Sequence, residues 1–135
     1  MRTVFADTYY FIALLNERDS AHATVHAFSR AYVGRMVTTE WVLTEVGDAL
    51  AGESDRSKFI NLVEFLRSRP DVDIVRSSGE LFDSGVDLFS RRNDKEWSLT
   101  DCISFVVMGQ YGLKEALTGD RHFQQAGFEA LLIEE

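Results

Sequence analysis

Five short runs of apolar and β-branched residues recur along this chain, and stretches of helical length separate nearly all of them. The runs are residues 2–6 (RTVFA), 34–38 (GRMVT), 72–75 (VDIV), 115–118 (EALT) and 130–133 (ALLI). Strands alternating with helices imply a mainly parallel sheet, because a parallel neighbour is reached only by a crossover that packs on the sheet. The fold class expected is therefore α/β, a three-layer α/β/α sandwich around a short sheet. No glycine- or proline-rich linker, repeat or low-complexity tract divides the 135 residues, so residues 1–135 read as one domain.

Each intervening segment carries a helix signal. TYYFIALLN follows Asp7 at helical length, and SAHATVHAFSRAY sets Ala23, Ala27 and Phe28 on one stripe behind Ser20. Thr39 is placed to cap TEWVLTEVGDALAG, whose Val42, Leu43, Val46 and Leu50 have the spacing of a buried face. Ser54 opens the next helix, with Phe59, Leu62, Val63 and Leu66 inward, and Pro70 stops it. Ser77 or Ser78 caps a helix carrying Leu81, Phe82, Val86 and Phe89. Residues 100–111 (TDCISFVVMGQY) are apolar almost throughout, which predicts a central helix buried on most sides.

Ligands of open α/β sheets gather beyond the carboxyl ends of the strands, so the polar residues delivered to that edge matter most. Most are acids: Asp7 ends the first strand, Asp120 follows the fourth, Asp101 opens the central helix and Glu45 lies inside an apolar stripe. Neighbouring carboxylates repel, and a hard divalent cation with oxygen ligands, Mg2+ or Mn2+, is what usually holds them together. One or two such ions would suit phosphodiester hydrolysis without any side-chain nucleophile. Ser98-x-x-Asp101 also reads as a helix capping box, and the alternative for Glu45 is an ion pair with Arg or Lys.

Charge bears on the substrate. Fourteen Lys and Arg against 22 Asp and Glu give a net charge of -8, which opposes non-specific binding to a polyanion. Arg18, Arg91, Arg92, Lys95 and Arg121 fall near the strand ends and are the candidate residues for contacting a phosphodiester, with solvated loop charge as the alternative. The single Cys102 excludes an internal disulfide and a cysteine-based zinc site, and as the start of an apolar helix it reads as a small hydrophobe. With Asp7 interrupting the first apolar run, neither membrane insertion nor secretion is expected, and the setting expected is cytoplasmic. His22 and His26 lack a third ligand, Asp48 is a marginal addition to the acids, and His122 is expected to fix a turn beside Phe123.

Four segments, FADTYYFIALLN, VLTEVGDAL, WSLTDCISFVV and ALTGDRHFQQAGF, resemble in order and spacing the acidic motifs of PIN domains, the VapC toxins in particular. The resemblance implies a metal-dependent endoribonuclease with Asp7, Glu45, Asp101 and Asp120 as the four acidic positions, catalytic and metal-binding. Asp7 and Asp101 would be direct ligands. Glu45 would be a ligand or orient the attacking water, and Asp120 would act through water or on a second ion. Thr8, Ser98 and Thr118 match supporting positions. It further implies a structured RNA substrate such as tRNA or ribosomal RNA, a small antitoxin partner and a homodimer. The departure is Gly119, where many relatives carry Asn or another polar residue. The competing function is a PIN-like domain that binds RNA or protein without cutting it.

Overall fold

A computed structural model describes residues 1–133. The elements in chain order are β1 (Thr3–Ala6), α1 (Thr8–Leu15), α2 (His22–Ala31), β2 (Arg35–Thr39), α3 (Glu40–Ala49) and α4 (Arg56–Ser68). They continue with β3 (Val72–Val75), α5 (Gly79–Arg91), α6 (Leu99–Tyr111), β4 (Glu115–Leu117), α7 (Arg121–Gln125) and β5 (Glu129–Ala130). The five strands form one sheet of order β3-β2-β1-β4-β5, and every pairing is parallel. The chain runs from β1 out to β3, then returns to β4 and on to β5. With the right-handed crossovers that parallel strands adopt, this order puts α1 to α4 on one face and α5 to α7 on the other. The expected three layers are present, and the sheet is wholly rather than mainly parallel.

The core lies where the chain is most apolar. Val4, Phe5 and Ala6 of β1 and Val107 and Met108 of α6 are fully buried, as befits a central strand and a helix enclosed on most sides. Thr39 caps α3 by accepting from the Val42 amide, and Ser78 caps α5 by accepting from the Leu81 amide. Pro70 lies just beyond the end of α4, where its missing N–H costs no helical hydrogen bond.

Four expectations need correction. In α2 the helix starts at His22 behind Ala21, not at Ser20, and Ala23 and Ala27 are exposed. The inward stripe is Ala21, Val25, Phe28 and Tyr32, one turn apart, because Phe28 and Tyr32 stack against each other toward the Arg2 end of β1. Helix α4 begins at Arg56 after Asp55, so Ser54 is not its cap. In α5, Leu81, Gly85 and Leu88 face α6, whereas Phe82, Val86 and Phe89 stand exposed on the outer side. Gly85 makes this possible: a Cβ there would stand 2.3 Å from Cγ1 of Ile103, so only glycine lets the two helices approach so closely. Finally, the last strand is Glu129–Ala130 rather than residues 130–133.

Candidate active site

The sheet order places β1 between β2 and β4, the point where crossovers leave in opposite directions and at whose carboxyl edge open α/β sheets commonly take their ligands. Asp7 is the first residue beyond β1 and the N-cap of α1, yet its side chain makes no cap bond to that helix. Instead, the pairing of Ala6 with Leu117 brings it beside Thr118, whose hydroxyl donates to Asp7 Oδ2 at 2.9 Å. The carboxylate is 6% exposed. Burial pushes its pKa up to about 7, with the charges of Asp101 and Glu45 adding to the rise and hydrogen bonds opposing it.

The other three acids are held as firmly. Glu45, one turn before the end of α3, accepts at Oε1 from the Thr8 hydroxyl at 2.6 Å, so α1 and α3 are tied at this edge. Asp101 completes a full capping box with Ser98: its amide donates to Ser98 Oγ at 3.0 Å, and its Oδ2 accepts from the Ser98 amide at 3.1 Å. Asp120 caps α7, with Oδ1 accepting from the His122 amide at 2.9 Å, while its own amide donates to Thr118 Oγ1 at 3.0 Å. Thr118 thus joins the first and fourth acids through one buried hydroxyl.

The structure thus links Asp7 and Asp120 through Thr118, Asp101 to Ser98 and Glu45 to Thr8, and the charges of Asp101 and Glu45 both reach Asp7, so the four acids and three hydroxyls singled out in the sequence lie at the same sheet edge. Asp101 is both cap and site residue. The ion-pair alternative for Glu45 fails, since among the described residues no Lys or Arg pairs with Asp7, Glu45, Asp101 or Asp120. Sequence reasoning underrated His122. Its Nδ1 lies 3.0 Å from Asp101 Oδ2 and 3.4 Å from Asp120 Oδ1, between two acids and not merely beside Phe123. The available signal was its position two residues after a helix-capping acid.

The remaining candidates separate clearly. Arg91 pairs with Asp87 and Arg92 with Asp94, the latter also lying 5.0 Å over the Trp97 ring, so both are engaged within the chain. Arg18, Lys95 and Arg121 form no ion pair among the described residues, and Arg18 lines a cleft with Asn16, Asp55 and Lys58. Asp48 is exposed and lines a groove between α3 and α4. His22 Nδ1 lies 2.7 Å from the Ala13 carbonyl and its ring stacks on His26, which is a packing arrangement. Burial raises the pKa of Cys102, leaving it an inert thiol.

Asp7, Asp101, Glu45 and Asp120 supply only hard oxygen donors, one of them buried and unpaired by any basic side chain. Such a set fits a divalent cation. Asp101, Asp120 and His122 also bring one potential ligand atom each to within 4.8 Å of one another. A doubly wound sheet with acids converging on its switch point defines a class, the α/β domains with an acidic centre.

Residues 4–129 match the PIN domain family, and the chain belongs to that family. It is 26% identical over 125 residues to the 23S rRNA-specific endonuclease VapC20 of Mycobacterium tuberculosis, covering 93% of this chain and 95% of that protein. The crystal structure of VapC20, titled a sarcin-ricin loop cleaving toxin, superposes with a TM-score of 0.84 at 25% identity, over 93% of this chain and 95% of that one. The FitAcB structure from Neisseria gonorrhoeae (TM-score 0.67, 17% identity, 94% of each chain) shares the fold. So does VapBC2 from Rickettsia felis bound to a fragment of its promoter (0.65, 11%, 96% and 97%). No described helix is long and apolar enough to cross a membrane.

Proposed function

We propose that this protein is a divalent-metal-dependent endoribonuclease of the VapC toxin type, cutting phosphodiester bonds of a structured RNA. The observation that carries the reading is the set of four acids, complete and supported by Thr8, Ser98 and Thr118, with no Lys or Arg paired to any of them among the described residues. Asp7 and Asp101 would hold the cation directly, Glu45 would hold it or orient water, and Asp120 would act through water or on a second ion. Magnesium or manganese bound there supplies positive charge that draws a phosphodiester oxygen and acidifies water.

The chain's own contribution is orientation. Thr118 fixes Asp7, Thr8 fixes Glu45 and the capping box fixes Asp101, each by holding one carboxylate oxygen. Glu45, tied at Oε1, keeps its second oxygen to hold the cation or orient the water. Arg18, Lys95 and Arg121 are the basic residues assigned to the RNA, since Arg91 and Arg92 are occupied by acids of their own. The VapC20 likeness supports ribosomal RNA as the first substrate to try, with tRNA beside it. The toxin-antitoxin neighbours support a small antitoxin as the partner. The exposed stripe Phe82, Val86 and Phe89 supports self-association, and a cytoplasmic setting suits all of these.

The test is cleavage of ribosomal RNA hairpins, tRNA and unstructured RNA by purified protein freed of co-purifying antitoxin, in Mg2+ or Mn2+. EDTA and a folded Asp7→Asn variant serve as controls. Cutting that both controls abolish is the expected result. RNA binding without cutting, by protein shown to hold the metal, would favour the non-catalytic PIN-like alternative.

A further inference from the structure

We infer that His122 is a positioning residue that clamps Asp101 to Asp120 and commits one oxygen of each to the protein, leaving the second oxygen of each for the cation. This rests on the acidic-centre reading above. His122 Nδ1 at 3.0 Å from Asp101 Oδ2 is a hydrogen bond only if Nδ1 carries a proton and donates it, and a protonated nitrogen is not a metal ligand. The same Asp101 Oδ2 already accepts from the Ser98 amide, so two donors converge on it and the carboxylate cannot rotate freely. Asp120 Oδ1 accepts from the His122 amide, with Nδ1 a further 3.4 Å away.

A single residue therefore addresses both acids, once through its backbone and once through its ring. The clamp matters because the two acids come from different elements. Asp101 is anchored in α6, while Asp120 opens a helix of only five residues and is otherwise held by Thr118 and by backbone bonds within its own turn. His122 is the side chain that ties the α7 turn to α6 at the site, and it is itself only partly exposed, at 30%. Fixing acids by outer hydrogen bonds of this kind commonly changes metal affinity by tenfold to a hundredfold.

The experiment titrates Mn2+ alone into wild type, His122→Asn, His122→Ala and His122→Phe, each checked for native circular dichroism. Asn places an N–H where Nδ1 stands, Ala removes the ring, and Phe keeps its bulk without a donor. The expected result is Mn2+ affinity at least about tenfold weaker in the Ala and Phe variants and restored to within a few-fold by Asn. Equal affinity in all folded variants, or an Asn variant no better than Ala and Phe, would overturn the clamp while leaving the acidic centre standing. Absence of any Mn2+ binding by wild type would instead overturn the acidic centre itself, and the clamp with it.

Discussion

Replacing Asp7 by Asn will stabilise the metal-free protein above pH 7, even though it removes the acid at the heart of the proposed site. Burial raises the Asp7 pKa from 3.8 to about 7, so between those values the folded protein keeps a proton that the unfolded chain has released. The sign follows: the associated stability is complete below 3.8 and is lost as pH rises through 7. A displacement of that size corresponds to at most about 4 kcal/mol, at about 1.4 kcal/mol for each tenfold change in proton affinity. Asn keeps a carbonyl to accept from the Thr118 hydroxyl but has no charge to bury. Urea unfolding in EDTA at pH 5 and pH 8 measures the difference. Wild type will lose about 2 to 3 kcal/mol between the two, the variant much less, and at pH 8 the variant will be the more stable. Saturating Mn2+ will reverse that order by stabilising only the wild type. Parallel pH profiles for the two proteins would refute the argument, because the buried charge would then cost nothing.

Other residues give shorter tests. A Cβ on Gly119 would stand 2.5 Å from the Tyr9 ring, so Gly119→Ala will destabilise by about 1 to 3 kcal/mol in thermal unfolding, and pairing it with Tyr9→Ala will recover part of that loss. Ser104 Oγ is buried without a hydrogen-bond partner, so Ser104→Ala will be neutral or stabilising by about 1 kcal/mol in urea unfolding. RNA binding measured by fluorescence anisotropy will be weak in EDTA and strengthen with a non-hydrolysing divalent ion such as Ca2+. Arg121→Ala will weaken it more than Arg91→Ala, since Arg91 is already paired with Asp87.

The elements with local signals were legible in the sequence. Val72–Val75 is the strand its alternation predicts, and Thr39 and Ser78 cap the helices they precede. What escaped were choices made by tertiary packing. The α2 segment offers more than one apolar stripe, and alanine tolerates either side; the stacking of Phe28 on Tyr32 decides which one turns inward. In α5, size misleads. The large Phe82 and Phe89 face out because Gly85 permits close approach to Ile103, and a glycine within a helical pattern was the clue to that contact. The positions of the four acids at this edge were legible in different ways, Asp7 and Asp120 from the strands they follow, Asp101 from the helix it opens and Glu45 from the apolar stripe around it. The role of His122 was not, because it arises only when α7 is laid against α6, 21 residues away.

The adaptation to Gly119 shows how these levels connect. The PIN-domain resemblance marks it as a departure from a polar position, which by itself suggests a weakened fourth corner. The structure gives another account: the Tyr9 ring occupies the space a side chain would need, one residue before Asp120. The fourth acid is then held by other means, from below by Thr118 Oγ1 on its amide and from the side by the His122 amide on Oδ1. Net charge follows the same logic. With -8 overall and with Arg91 and Arg92 spent on neighbouring acids, attraction for a phosphate cannot rest on those two arginines. On the proposed reading it comes from a cation held by the acids together with Arg18, Lys95 and Arg121, which is how a buried Asp7 without a Lys or Arg partner and an acidic surface are compatible with an RNA substrate.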